Sequence, residues 1–255
     1  MSNLTVTLVE IDQVWENKQA NFDLYIDYLK GVETDLILLP EMFNTAFSMN
    51  AEELAEPWGK SVSIQWLQKL SKEKSAAIYT SLIIKENENY YNRGVFVCPN
   101  GRVKYYDKRK SFSLAGEDKT FTKGEKEVIV DYKGWKFQLQ ICYDLRFPEI
   151  VRNRIKKDGT PAYDAILYVA NWPEKRIEHW SILLKARAIE NQCYVLSVNR
   201  LGVDCQGLNY NGCSSVVSAN GIFLSPRTPS QHYNILKEDL HQTRTKLPFL
   251  IDCNV

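Results

Sequence analysis

The 255-residue sequence predicts an α/β fold on a parallel or mixed sheet. Three observations carry that expectation. Residues 4–40 read as strand, helix, strand; short continuous apolar runs such as Leu36-Ile-Leu-Leu39 mark strands covered on both faces; and turn dipeptides such as Asn100-Gly101 separate alternating segments as hairpins.

In order, Leu4 to Glu10 alternates as a strand, and residues 17–30 place Phe22, Ile26 and Leu29 at helical spacing before Gly31. The run from Asp35 to Pro40 is the second strand. Ile64 to Lys74 reads as a helix and Ala76 to Ile84 as a strand. Tyr91 to Val97 and Val103 to Tyr106 flank Pro99-Asn100-Gly101, and Val128 to Tyr132 and Lys136 to Ile141 flank Lys133-Gly134, giving two hairpins. A buried strand follows at Ala165 to Val169, then a long amphipathic helix over 177–191 and a strand at Cys193 to Asn199. Cys213 to Ser218 and Ile222 to Leu224 are expected to pair around Asn220-Gly221. The stretch after Ser225 is more polar, with a short helix expected over 233–240 and a last strand from Leu247 to Ile251. No linker or composition break divides the chain, so residues 1–255 read as one domain, with a body of about 4–225 and an extension of about 226–255.

Composition narrows the function. Hydrophobic residues make up 44% and charged residues 25%, as in a soluble protein with a sizeable core. The net charge of +1 leaves no basic footprint for nucleic acid, and Lys108-Arg109-Lys110 alone is too short to be one. No apolar stretch is long enough to span a bilayer, and the N-terminus lacks a signal-peptide pattern. The six cysteines show neither paired nor metal-finger spacing, which points to free thiols in a reducing cytoplasm, and only three histidines are present.

Three residues at strand ends stand out. Cys142 follows Lys136-Phe-Gln-Leu-Gln-Ile141, and the next residues, with Pro148 and Glu149, suit the start of a helix whose N-terminus would favour a thiolate. Glu41 follows Leu38-Leu39-Pro40, and Lys108 follows the strand ending at Tyr106. A buried hydrophobe for the cysteine and solvated side chains for the other two are the plain readings of each alone. Strand ends gather ligand-binding loops in such sheets, so the three together suggest a site.

Leu39-Pro40-Glu41-Met42-Phe43, Tyr106-Asp107-Lys108-Arg109 and Cys142-Tyr-Asp-Leu-Arg-Phe-Pro-Glu149 resemble, in order, the three signature segments of the nitrilase (carbon–nitrogen hydrolase) superfamily. Ala170-Asn171-Trp172-Pro173, residues 186–200 and Tyr210-Asn-Gly-Cys-Ser214 resemble further segments, so the likeness covers roughly residues 4–225 and is closest to the ω-amidase branch. The resemblance implies a four-layer αββα sandwich with two mixed β-sheets, usually a homodimer, without a cofactor, metal or membrane or nucleic-acid partner. It implies Cys142 as nucleophile toward a small-molecule amide, Glu41 as general base and acid, and Lys108 with the Tyr143 backbone N–H at the oxyanion. Glu117 matches the additional active-site acid. Its plain reading is an exposed loop carboxylate. Relatives usually carry His-Leu-Phe after the Lys-Arg pair, whereas this chain has Lys110-Ser111-Phe112.

Phe47, Phe112, Asn171 and Trp172 are candidate pocket walls, though such aromatics are often plain core. Arg187 and Glu190, three apart on a helix, read as structural bracing. Arg146 and Arg200 are candidate partners for a substrate carboxylate, with a structural salt bridge preferred for each. His179 reads as a packing or interface residue. The expected reaction is hydrolysis of the terminal amide of a small 2-oxo dicarboxylic monoamide such as 2-oxoglutaramate, through a cysteine thioester. Deaminated-glutathione amidase, N-carbamoyl amine hydrolase and nitrilase chemistry use the same machinery. A Cys-His hydrolase built on His179 or His232, or a binding protein that has lost its chemistry, are the alternatives outside it. A Gly-x-Ser-x-Gly elbow, a Walker loop and a Rossmann fingerprint are absent.

Overall fold

The computed structural model describes residues 3–226 and 231–254; residues 1–2, 227–230 and 255 of the expected domain lie outside the described residues. The first half of the chain contains β1 (Asn3–Leu8), α1 (Lys18–Tyr28), β2 (Leu36–Leu38), α2 (Ala51–Leu54), β3 (Glu56–Pro57), α3 (Val62–Lys74), β4 (Ala77–Glu86), β5 (Asn89–Val97) and β6 (Val103–Asp107). The second contains α4 (Glu117–Thr120), β7 (Ile129–Tyr132), β8 (Trp135–Ile141), β9 (Ala165–Ala170), α5 (Ile177–Asn191), β10 (Tyr194–Asn199), β11 (Leu201–Val203), β12 (Asn209–Asn211), β13 (Ser215–Val217), β14 (His232–Leu236) and α6 (Lys237–Lys246).

Two mixed sheets form. One has the order β14-β1-β2-β4-β5-β6, with β3 on β4, and the other β13-β10-β9-β8-β7. β2 is central and parallel to both β1 and β4, which is why all three of its residues are buried and its sequence is apolar without alternation. The period of two still decides direction: Leu36 and Leu38 join Leu4, Val6 and Leu8 in the core shared with the second sheet, while Ile37 joins Phe22 of α1 and Leu67 of α3. Between the sheets Phe96 stacks on Phe137 with centroids 6.1 Å apart, and the Tyr79 hydroxyl donates to the Gln140 carbonyl at 3.0 Å. On the far side, α5 sets Trp180, Leu184 and Ala188 against the second sheet. The layers are therefore αββα, as the resemblance implied. Trp180 is fully buried, and its indole donates to Cys213 O at 3.0 Å; truncation to alanine there is worth about 3–5 kcal/mol.

Three expectations are corrected. After Cys142 there is no sustained helix, only two 3₁₀ turns, Cys142–Arg146 and Pro148–Ile150. Phe147 is extended ahead of Pro148, which breaks the helical path. The expected helix over 233–240 begins only at Lys237: His232–Leu236 pairs antiparallel with β1, burying Tyr233 and Ile235 in alternation. The extension thus packs back onto the body. The expected strand from Leu247 to Ile251 is a 3₁₀ turn, Phe249–Asn254, because Pro248 offers no ladder donor and the Leu250 N–H is taken by Gln192 Oε1 at 3.2 Å. Among the described residues no helix is long and apolar enough to cross a membrane.

Candidate active site

Glu41 lies just past β2, Lys108 directly after β6 and Cys142 directly after β8, and the stacking of the sheets brings these ends together. All three are buried. Lys108 Nζ donates to Glu41 Oε1 at 2.9 Å and to both oxygens of Glu117 at 2.8 Å. Glu117, expected on its plain reading to be exposed, is 1% exposed, and its Oε2 also accepts the Phe112 N–H at 2.6 Å. Glu41 Oε2 accepts the Asn171 N–H at 3.0 Å, the Cys142 thiol donates to the Asn171 carbonyl at 3.9 Å, and the Glu41 carboxylate is close enough to act on the thiol electrostatically.

The electrostatics follow from this packing. Burial alone would lower the Lys108 pKa, but Glu117 and Glu41 outweigh it and push it up, so the ammonium stays charged. Burial and then the Glu41 carboxylate push the Cys142 thiol well above its ordinary value, against the pull of Lys108. The resting sulfur is a thiol facing a carboxylate. The turn after Cys142 is too short to act as a helix dipole, so the helix N-terminus expected to favour a thiolate is not there.

Backbone geometry aims the thiol. Cys142 has φ of 41° and Met42, next to the glutamate, 46°, both in the left-handed region that residues with a Cβ occupy at a cost of order 1–3 kcal/mol. Asp144 holds the first of these turns. It accepts the Ile141 N–H at 3.0 Å, the Tyr106 hydroxyl at 2.9 Å and the Lys110 N–H at 2.9 Å, tying the loop of Cys142 to that of Lys108. Burial raises its carboxyl to about 6, against Lys108 and these donors. Arg187 braces the same turn from α5, donating to Leu145 O at 2.6 Å and pairing with Glu190 at 3.0 Å.

A cavity of about 460 Å³ opens over the thiol. Phe47, Phe112, Asn171 and Trp172 all line it, as does Tyr143, whose ring lies 5.0 Å from that of Phe112. Arg146 and Arg176 line it too. Arg146 does not make the structural salt bridge expected of it; its guanidinium lies 4.7 Å over Trp172 and meets His179 Nδ1 at 3.3 Å. Arg176 lies 5.4 Å over Phe112. Burial and the neighbouring Arg176 charge lower the Arg146 pKa. The one acidic side chain on the open wall, Asp204, is turned to its own hairpin, accepting from Leu208 N at 3.0 Å and the Tyr210 hydroxyl at 2.9 Å. Arg200 does form a structural pair, with Asp12 at 2.8 Å. Lys110 points away, to Glu149 at 2.8 Å, so the unusual Lys110-Ser111 pair leaves the wall to Phe112. His232 meets Thr7 at 3.0 Å, and His179 meets Arg146 at 3.3 Å. No group of three His, Cys, Asp or Glu side chains fit to hold a metal occurs among the described residues.

Sequence reasoning missed Asn92, which links Glu41 to Glu117, and Arg176. Asn92 sits inside a strand outside the signature segments, and Arg176 belongs to the charged run Glu174-Lys175-Arg176, whose ordinary reading is a solvated turn.

A buried Glu-Lys-Glu cluster beside a cysteine on an αββα sandwich defines a class, and comparison with known proteins agrees: the carbon-nitrogen hydrolase family model matches residues 5–245. The chain belongs to the carbon–nitrogen hydrolase family. It is 41% identical over 234 residues to the omega-amidase YafV of Yersinia enterocolitica, covering 91% of this chain and 88% of that one. It is 35% identical over 171 residues to a 2-oxoglutaramate amidase of Bacillus subtilis, covering 66% and 64%. The crystal structure of a CN-hydrolase superfamily protein from Xanthomonas campestris superposes with a TM-score of 0.93 at 35% identity, covering 99% of this chain and 97% of the other.

Proposed function

We propose that this protein is an ω-amidase that hydrolyses the terminal amide of a small 2-oxo dicarboxylic monoamide, such as 2-oxoglutaramate, to the acid and ammonia. One observation carries the reading: the cavity is lined by the Cys142 thiol and Lys108, with Glu41 and Glu117 bonded to that lysine behind them, and by two guanidiniums, Arg146 and Arg176. Among the described residues neither guanidinium has a carboxylate partner, which suits a substrate with an amide at one end and a carboxylate at the other. The names of the relatives support the same substrate class.

In the reaction, Cys142 Sγ attacks the amide carbon as its proton passes to Glu41. The carbonyl oxygen becomes an oxyanion facing Lys108 and the Tyr143 N–H. Glu41 returns the proton to the nitrogen, the carbon–nitrogen bond breaks, ammonia leaves and a thioester remains. Glu41 then takes a proton from water, the hydroxide adds to the thioester, the carbon–sulfur bond breaks as Glu41 returns the proton to Sγ, and the acid leaves. Glu117 keeps Lys108 in place throughout, through both of its oxygens.

The coarser features fit this reading. Residues 1–255 act as one domain. All six cysteines are free, which supports a reducing cytoplasmic setting. Ile182 and Ile189 of α5, with Ile222 and Phe223, are exposed apolar residues that support a homodimer.

The test is ammonia release from 2-oxoglutaramate, 2-oxosuccinamate, glutamine, a carbamoyl amine and a simple nitrile, with Cys142→Ala as control. Fast, Cys142-dependent release from the 2-oxo amides alone is expected. Release from the carbamoyl amine or the nitrile instead overturns the substrate assignment.

A further inference from the structure

Asn92 lies on β5, outside every signature segment, and is 1% exposed. Its Nδ2 donates to Glu41 Oε1 at 2.8 Å and to Glu117 Oε1 at 3.0 Å. Its backbone carbonyl accepts the Lys108 N–H at 3.1 Å, so one residue touches three members of the cluster. Both atoms facing Nδ2 are carboxylate oxygens, which fixes the amide orientation: turned over, Oδ1 would face two acceptors. That orientation leaves Asn92 Oδ1 buried with no hydrogen-bond partner among the described residues. A buried polar atom is left orphaned so that both N–H groups can serve the glutamates.

Charge explains the need. Lys108 is the one cation bonded to both carboxylates, so the buried set Glu41, Glu117 and Lys108 has one acidic group more than basic. Two carboxylates gathered on one amide repel each other unless donors and a cation hold them together. A second cation would cancel the base, whereas a neutral amide supplies two donors and no charge. The groups facing Glu41 are then Lys108 from the end of β6, Glu117 from α4, the Cys142 thiol after β8 and the Asn171 N–H after β9.

We propose that Asn92 is a positioning residue that bridges Glu41 and Glu117 through its amide, fixing both carboxylates on a single lysine with Glu41 beside the Cys142 loop. This rests on the amidase mechanism above. Asn92 acts through the two glutamates and touches neither the substrate nor the reacting atoms.

The test compares wild type, Asn92→Leu, which keeps the volume and removes both donors, and Asn92→Ser, which returns one. Turnover of 2-oxoglutaramate is followed across pH, together with the pH dependence of Cys142 alkylation by iodoacetamide without substrate. The leucine variant is expected to lose roughly 10- to 100-fold in kcat, part of a general base's full contribution, with KM within about threefold. The acid limb of its kcat profile moves to higher pH, because the unbridged carboxylates hold a proton more readily, and the alkylation profile changes with it. The serine variant falls between. An unmoved acid limb, or a change carried by KM alone, overturns the proposal. If the leucine variant does not fold, the serine variant decides by the same displacement. Turnover surviving in Cys142→Ala overturns the underlying mechanism and is recognisable apart from any Asn92 effect.

Discussion

Replacing Arg146 or Arg176 by methionine, which keeps the apolar stem against Trp172 or Phe112, removes a guanidinium from the cavity wall without opening it. A charge-assisted hydrogen bond is worth about 1.5–3 kcal/mol, and these side chains are only part-buried, so the lower end applies. Each substitution should then lower kcat/KM for 2-oxoglutaramate about 10-fold, and both together about 100-fold. A neutral amide of matched length should change less than about threefold, because it never used that energy. The assay is ammonia release at low and at high salt, where added salt should narrow the gap for the wild type by screening the half-exposed charges. Equal losses for the charged and the neutral amide, or no loss for either, would refute the argument that the unpaired guanidiniums receive a carboxylate.

Other outcomes follow from the same geometry. Lys108→Met leaves Glu41 and Glu117 without their cation; it should lower kcat by about 10²–10³ and stability by about 3–5 kcal/mol, read by turnover and thermal unfolding. Arg187→Met loses the bond to Leu145 O and the pair with Glu190, and should lower both the melting temperature and kcat; an unchanged kcat would detach α5 from the site. Burial pushes the Asp144 carboxyl up to about 6, above its ordinary value, so the folded state holds that proton more tightly. Its contribution favours folding below the unfolded pKa and is lost as pH rises through about 6. Denaturant titrations from pH 4 to 7 should therefore show wild type losing stability relative to Asp144→Asn as pH rises, by about 1–3 kcal/mol, and the opposite slope would contradict it.

The sequence was most legible where chemistry and backbone coincide. Glu41, Lys108, Cys142 and Glu117 lie in segments whose residue order is specific, and the structure brings all four together. β2 was readable because a strand covered on both faces has few polar options, and α5 because its buried positions recur every three to four residues. Asn92 was not, since a polar residue in a strand has no local mark that distinguishes a bridge between two distant glutamates. The turn at Cys142 was misread because Pro148 signals the start of a helix, while the extended Phe147 and the Asp144 bonds hold the chain in 3₁₀ turns. The left-handed φ of Cys142 had no glycine to announce it. β14 was taken for helix because its alternation, Tyr233 and Ile235, spans only five residues and draws its stability from the distant β1.

The central claim is that Cys142 carries the acyl group. Wild-type protein mixed with 2-oxoglutaramate, quenched in acid within the first turnovers and digested, should give by mass spectrometry a Cys142 peptide heavier by the substrate less ammonia. The adduct should vanish on brief exposure to hydroxylamine and be missing from Cys142→Ala. Turnover with the Cys142 peptide unmodified in every quench, or the adduct on another residue, would contradict the account.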